Sequence, residues 1–258
     1  MKKIILLLSA TVLLISCSKV GKDEFIITGT ATGVENGKTI ILETQDAVGG
    51  LIAVDTVKVE NGKFEIKGKV TEPSFHMLQL EAAQGKVPFI LENGEINVVI
   101  NKDSINKSKI SGTYNNDEFV VFNEELVTIQ KSLVDFQTKN TPMMNTAQQT
   151  KDTAVINKLM KEFGKLQETV GAKTKKKYTS YAETHPKSFI SALIIQGMIN
   201  DPAIEIQKVE KLYASLDESL KTTKPGKAIE LKIKESKMAP AGGVAPQAGA
   251  APAPAAAN

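Results

Sequence analysis

Between Phe25 and Gly112 apolar and polar residues alternate with a period of two, and turn residues punctuate the alternation. Strands are predicted over Phe25–Ala31, Thr39–Glu43, Leu51–Glu60, Lys63–Val70, Phe75–Leu80, Val87–Leu91, Glu95–Ile100 and Lys109–Gly112. Asn-Gly occurs at Asn36-Gly37, Asn61-Gly62 and Asn93-Gly94, and this dipeptide suits a type I′ hairpin turn because both positions tolerate positive φ. The middle one has the clearest flanks, with Val54, Thr56, Val57 and Val59 leading in and Phe64, Ile66 and Val70 leading out. Pro73 and Pro88 fall near strand starts, where a missing amide donor is tolerated. About eight short strands without intervening helices predict an antiparallel β-sandwich or a partly closed barrel.

The period then changes. A cap-like Asn-Asp-Glu at Asn116 precedes Phe119, Phe122, Leu126, Ile129, Leu133 and Phe136, whose spacing puts them on one helix face. A break is expected at Asn140-Thr141-Pro142, followed by a second stripe of Ile156, Leu159, Phe163, Leu166 and Val170 running toward Tyr178 and Tyr181. These two helices predict a long antiparallel hairpin. His185-Pro186 should end the second one, because the residue before proline disfavours helical geometry. Shorter helices are expected over Ser188–Met198, from an Asp201 cap with Pro202 in the first turn, and over Gly226–Lys237. The fold class is therefore α+β, with an antiparallel β domain over 25–112 and a helical domain over 113–237.

Both ends read differently. Lys2 and Lys3 precede an apolar run, Ile4 to Ile15, that spans only about 18 Å as a helix, too short for a permanent membrane crossing. The run ends in Leu14-Ile15-Ser16-Cys17, which resembles the lipobox of bacterial lipoproteins. Residues 1–16 then read as a signal peptide, Cys17 as the lipidated residue and 17–24 as a polar tether. Met238 to Asn258 carries no charged side chain, and ten of its residues are alanine and four proline. A segment of that composition is expected to be an extended, disordered tail.

Composition narrows the chemistry further. The 258 residues hold 32 basic side chains, all lysine, against 29 acidic ones. Without Lys2 and Lys3 the balance is 30 against 29; a nearly neutral chain argues against electrostatic binding to a membrane or to nucleic acid, and the lack of the arginine fork argues further against nucleic acid. One cysteine excludes an internal disulfide, a CxxC pair and a cysteine-rich zinc site. His76 in an apolar strand and His185 at a helix end read as structural. Lys173, Lys175, Lys176 and Lys177, beside Tyr178 and Tyr181, could meet lipid headgroups or an anionic polymer, but read better as a solvated helix face. Gly49-Gly50 and the pair Gly29 and Gly33 lack a phosphate-loop context and read as hairpin connections. Ser191 is in no GxSxG elbow. No catalytic residue, metal ligand or cofactor is assigned.

The order of segments resembles a known module. FIITGTATGVENGKTIILE, VENGKFEIKGKVTEPSF, PFILENGEINVVI and KISGTYNNDEF are similar to the N-terminal domain of unknown function in lipoproteins of the thiol:disulfide interchange, thioredoxin-like type. HPKSFISALII and KPGKAIELKIKES resemble the helical stretch that leads into the thioredoxin fold of that family, so the similarity covers about residues 25–237. Where that fold should begin stands MAPAGGVAPQ, and no CxxC is present, so the family's redox activity carries over to no residue here. The resemblance implies the accessory half alone. The expectation is a non-enzymatic binding or adaptor module, lipid-anchored in the cell envelope of a Gram-negative bacterium, at the outer membrane facing the periplasm or the cell surface. Its expected partners are the membrane, through the anchor, and a separate thioredoxin-fold protein. The competing readings are a hydrolase or transferase with a site assembled from scattered residues, and a structural envelope protein.

Overall fold

The computed structural model describes residues 20–46, 49–201 and 204–238. Cys17, the expected signal peptide, Pro202 and the residues beyond Met238 that were expected to form a tail lie outside the described residues. Eight strands come first: β1 (Glu24–Thr30), β2 (Thr39–Gln45), β3 (Leu51–Lys58), β4 (Lys63–Lys69), β5 (Ser74–Leu80), β6 (Val87–Leu91), β7 (Gly94–Val99) and β8 (Lys109–Ser111). Six helices follow: α1 (Tyr114–Thr150), α2 (Thr153–Thr184), α3 (Phe189–Met198), α4 (Ile206–Ser215), α5 (Glu218–Lys221) and α6 (Lys224–Met238).

The strands form two four-stranded sheets, ordered β4-β1-β7-β8 and β3-β2-β5-β6. They face each other without closing, so the barrel alternative gives way to a sandwich. Alternate residues such as Phe25, Ile27, Leu42, Ile66, Leu78 and Phe89 fill the space between them. The arrangement is not wholly antiparallel, because β1 runs parallel to β7. Nor does Asn61-Gly62 join two strands of one ladder. Both residues have the positive φ of a type I′ turn, 52° and 69°. Beyond the Glu60–Lys63 bridge the chain diverges, β3 pairing with β2 and β4 with β1. The turn thus crosses from one sheet to the other. Of the other two Asn-Gly pairs, only the glycine has positive φ.

Gly29 is a mid-strand residue rather than a connection. It lies opposite Phe64, and four residues back Phe25 lies opposite Gly68. A Cβ at Gly29 would fall inside the Phe64 ring, and one at Gly68 would come within 2.7 Å of the Phe25 ring. Each aromatic ring lies over the glycine across from it, and the reciprocal pairs fix the register of β1 on β4.

The helices depart from expectation at three boundaries. α1 starts at Tyr114 with Thr113 as N-cap, so Asn116 is free for another task. It also runs through Pro142, while the side chains of Asn140 and Thr141 donate to the carbonyls of Phe136 and Gln137 one turn back. The turn of the hairpin is instead Lys151-Asp152, with Lys151 in the left-handed region and Asp152 accepting from the Val155 amide. α4 opens at Ile206 with Glu205 in the cap position, not at Asp201. α2 ends at Thr184, before His185-Pro186. Gly21 and Glu24, in the stretch expected as a tether, accept at their carbonyls from Asn93 Nδ2 at 2.7 and 2.6 Å.

The two domains meet at β6. Phe89 points into the sandwich, while Ile90 belongs to the helical core with Phe122, Phe189, Ile195 and Ile229. The free edge of β6 is closed by a side chain: Asn116 Oδ1 accepts from the Ile90 amide at 2.9 Å and Nδ2 donates to the Ile90 carbonyl at 2.7 Å. Next to it, Glu92 accepts from both the backbone and side-chain nitrogens of Asn115, and Asn115 Oδ1 accepts from the Phe189 amide at the start of α3. Asn115 and Asn116 are buried. Replacing Asn116 with alanine orphans a buried donor and a buried acceptor on Ile90. It should lower stability by about 2–4 kcal/mol in urea unfolding, and an unchanged midpoint would refute the latch.

Candidate functional site

The base of the α1–α2 hairpin, where the start of α1 meets the end of α2, packs differently from its outer part. Near the body, Phe119 and Phe122 of α1 meet Tyr178 and Tyr181 of α2, with Phe122 stacked on Tyr178 at 5.7 Å and tilted against Tyr181 at 4.6 Å. Phe75 of β5 packs edge-on against Phe119 at 6.1 Å. Farther out, the hairpin is held by one seam, in which Phe136 meets Phe163 at 5.6 Å. Two helices alone cannot enclose that seam, and Val127, Val134, Met143 and Met160 remain exposed along it.

Where α3 passes the base of the hairpin, the packing leaves a cleft of about 630 Å³. Phe75, Phe119 and Phe122 form its inner wall, Tyr178 and Gly171 one side, and Leu193, Ile194 and Gly197 the other. That volume is in the range of small-ligand and peptide-anchor sites. Polar groups stand at its margin: Lys175 Nζ lies 3.4 Å from Asp201 Oδ2, and Lys208 Nζ donates to Thr179 Oγ1 at 3.3 Å. The lining offers shape and water exclusion rather than acid–base chemistry.

Two glycines make this cleft open. Gly171 is in the interior of α2 and Gly197 is the penultimate residue of α3. Neither has positive φ, and a Cβ at either would meet nothing within 4 Å. Glycine in a helix costs about 1 kcal/mol relative to alanine, and no turn or close packing requires it at these two positions. What the missing side chains leave is room in the cleft.

The residues singled out in the sequence scatter. His76 is buried on β5, with Nδ1 3.3 Å from the Ser74 carbonyl and its ring against Phe89. Burial, only partly offset by that carbonyl, lowers its pKa below the ordinary histidine value. His185 caps α2, stacks flat on Tyr181 at 4.1 Å and lies 3.7 Å from Glu118 Oε2. Tyr181 donates to Glu118 at 2.7 Å and lies 3.0 Å from Ser188 Oγ, while burial pushes its pKa up. Ser191 donates to the His185 carbonyl. The lysine cluster divides: Lys175 is at the cleft margin, Lys177 pairs with Glu125 over the Phe122 and Tyr181 rings, and Lys173 and Lys176 face solvent. Among the described residues no three His, Cys, Asp or Glu side chains gather as a metal site. The cleft itself was missed, and helical glycines alone did not mark it, since Gly164 of α2 also has open space around it and lines no part of the cleft.

Residues 25–119 match the family model described as a domain of unknown function, DUF4369. This is the domain that the β-strand segments resemble, and the match shows no thioredoxin domain. The chain has no significant match among curated proteins or among solved structures. The DUF4369 span runs past β8 into α1. It therefore includes the Asn115-Asn116 latch and two cleft aromatics, Phe75 and Phe119. The remaining walls come from helices beyond the matched span.

Because burial lowers the folded pKa of His76, the unfolded chain takes up a proton first as pH falls through about 6.5. Its contribution to stability is full above that pH and is lost below it, down toward the folded pKa. His76→Gln should therefore show a smaller loss of unfolding free energy than the parent between about pH 7 and about pH 5. Parallel curves would exclude this role.

Proposed function

We propose that the protein is a non-enzymatic binding module of the bacterial envelope, tethered by a lipid on Cys17, whose cleft receives an apolar segment of a partner protein. The observation that carries this reading is the pair Gly171 and Gly197, each a helical glycine without a conformational or packing reason, both opening one aromatic-lined cleft. The lone cysteine at the end of a short apolar run supports the tether. Family context supports a thioredoxin-fold protein as the partner, since DUF4369 is the domain of unknown function in thioredoxin-like lipoproteins. In this reading the anchored module holds a redox protein, or that protein's client, at the membrane.

Two measurements test it. Cys17→Ser should move the protein from the membrane fraction to the soluble fraction of lysed cells and abolish palmitate labelling; persistent labelling would remove the anchor. For the cleft, a photo-crosslinking residue at Leu193 should capture a thioredoxin-fold protein in intact cells, identified by mass spectrometry. The double variant Gly171→Leu and Gly197→Leu should fold at least as stably as the parent, because both positions gain helix propensity, yet lose that crosslink. A crosslink that survives the filled cleft, or no captured protein at all, would defeat the proposal.

A further inference from the structure

α2 presents three sides with different surroundings. Leu159, Phe163 and Val170 face α1, and Gly171 and Tyr178 face the cleft. The third side carries Lys158, Lys161, Lys165, Lys173 and Lys176, all exposed. At 3.6 residues per turn these positions fall on one side of the helix, over a length of about 27 Å. Among the described residues, the lysine ion pairs made by α2 are those of Lys175 and Lys177, so none of the five is paired. Glu162 is the one acid within the row; Glu168 flanks it and Glu183 lies beyond its end. The whole helix has seven lysines against three glutamates, whereas α1 has two lysines against five acids. The near-neutral total thus hides a strongly basic helix.

We propose that this face of α2 lies on the phosphate headgroups of an anionic membrane. A straight row of lysines suits a fluid headgroup layer, where point charges on flexible stems need no fixed geometry. The placement of the chain's entry fits. Gly21 is held by Asn93, next to Glu92 and the start of α1, so the root of the hairpin is where the N-terminal segment joins the body. Cys17 is four residues before Gly21, a reach of about 14 Å. A lipid there would keep the root close to the bilayer, and a basic face beside it supplies a second attachment signal. The electrostatic contact does not depend on that lipid and is tested without it.

The probe is the chain from residue 17 with Cys17→Ser, which keeps every described residue. It should co-sediment with phosphatidylglycerol vesicles at about 50 mM salt, release at about 500 mM, and ignore phosphatidylcholine vesicles. Changing Lys158, Lys161, Lys165 and Lys176 to glutamine should weaken partitioning by close to a thousandfold, about tenfold for every one to two lysines removed, with an unchanged circular dichroism spectrum. The same change at Lys63, Lys69, Lys107 and Lys109, four exposed lysines of the β domain, should leave most binding in place. Equal binding to both vesicle types, or equal losses from the two variant sets, would overturn the proposal. So would a stripe that governs binding to polyglutamate but not to vesicles, which would make the partner an acidic protein.

Discussion

The fold depends on what Asn115 and Asn116 do at the start of α1. A sheet edge offers unpaired backbone groups, and burying such an edge is costly unless each group finds a partner. β6 is in this position, since Phe89 is buried on one side and Ile90 on the other. Asn116 resolves the conflict by presenting an amide that matches the donor and acceptor of Ile90, in effect one residue of a further strand. Asn115 then passes the connection on, from Glu92 to the first turn of α3. Two adjacent side chains therefore align α1 against the sandwich and α3 against α1. The cleft between these elements inherits its walls from that alignment.

Local chemistry made much of this legible. Alternation located every strand to within about two residues, and the 3–4 spacing from Phe119 to Phe136 marked the seam of α1. Long-range pairing was not legible. Asn61-Gly62 adopts the turn its chemistry favours, yet the strands it joins part into different sheets, because the apolar faces of β3 and β4 are satisfied by different neighbours. Pro142 shows the same limit inside a helix. A proline removes one backbone hydrogen bond, but the seam on either side, from Leu133 to Ala147, keeps α1 continuous. Asn116, opening an Asn-Asp-Glu run, looked like a cap because capping is a common local use of asparagine; its real partner is on a strand 26 residues earlier.

The cleft was hidden for a related reason. Its aromatic wall was read as part of the helix stripes, and Phe122 is indeed buried core. What distinguishes a wall from a core is the absence of an opposing side chain, and absence is written in the sequence only as glycine. Gly171 and Gly197 are separated by 26 positions, on two helices whose contact had to be known before their openings could be seen to coincide.

The same helix shows why totals mislead about surfaces. A balance of 32 lysines to 29 acids argues against electrostatic binding only if the charges are mixed. Helical geometry sorts them instead: the positions of α2 that neither pack on α1 nor open to the cleft are those where unpaired lysines collect. Lys175 and Lys177, adjacent in sequence to members of that row, turn away to Asp201 and Glu125. The visible run of lysines near residue 175 is thus not itself the patch. The patch is a row reaching back to Lys158, and it emerges only once the helix is known to continue without a break and to have its other sides occupied.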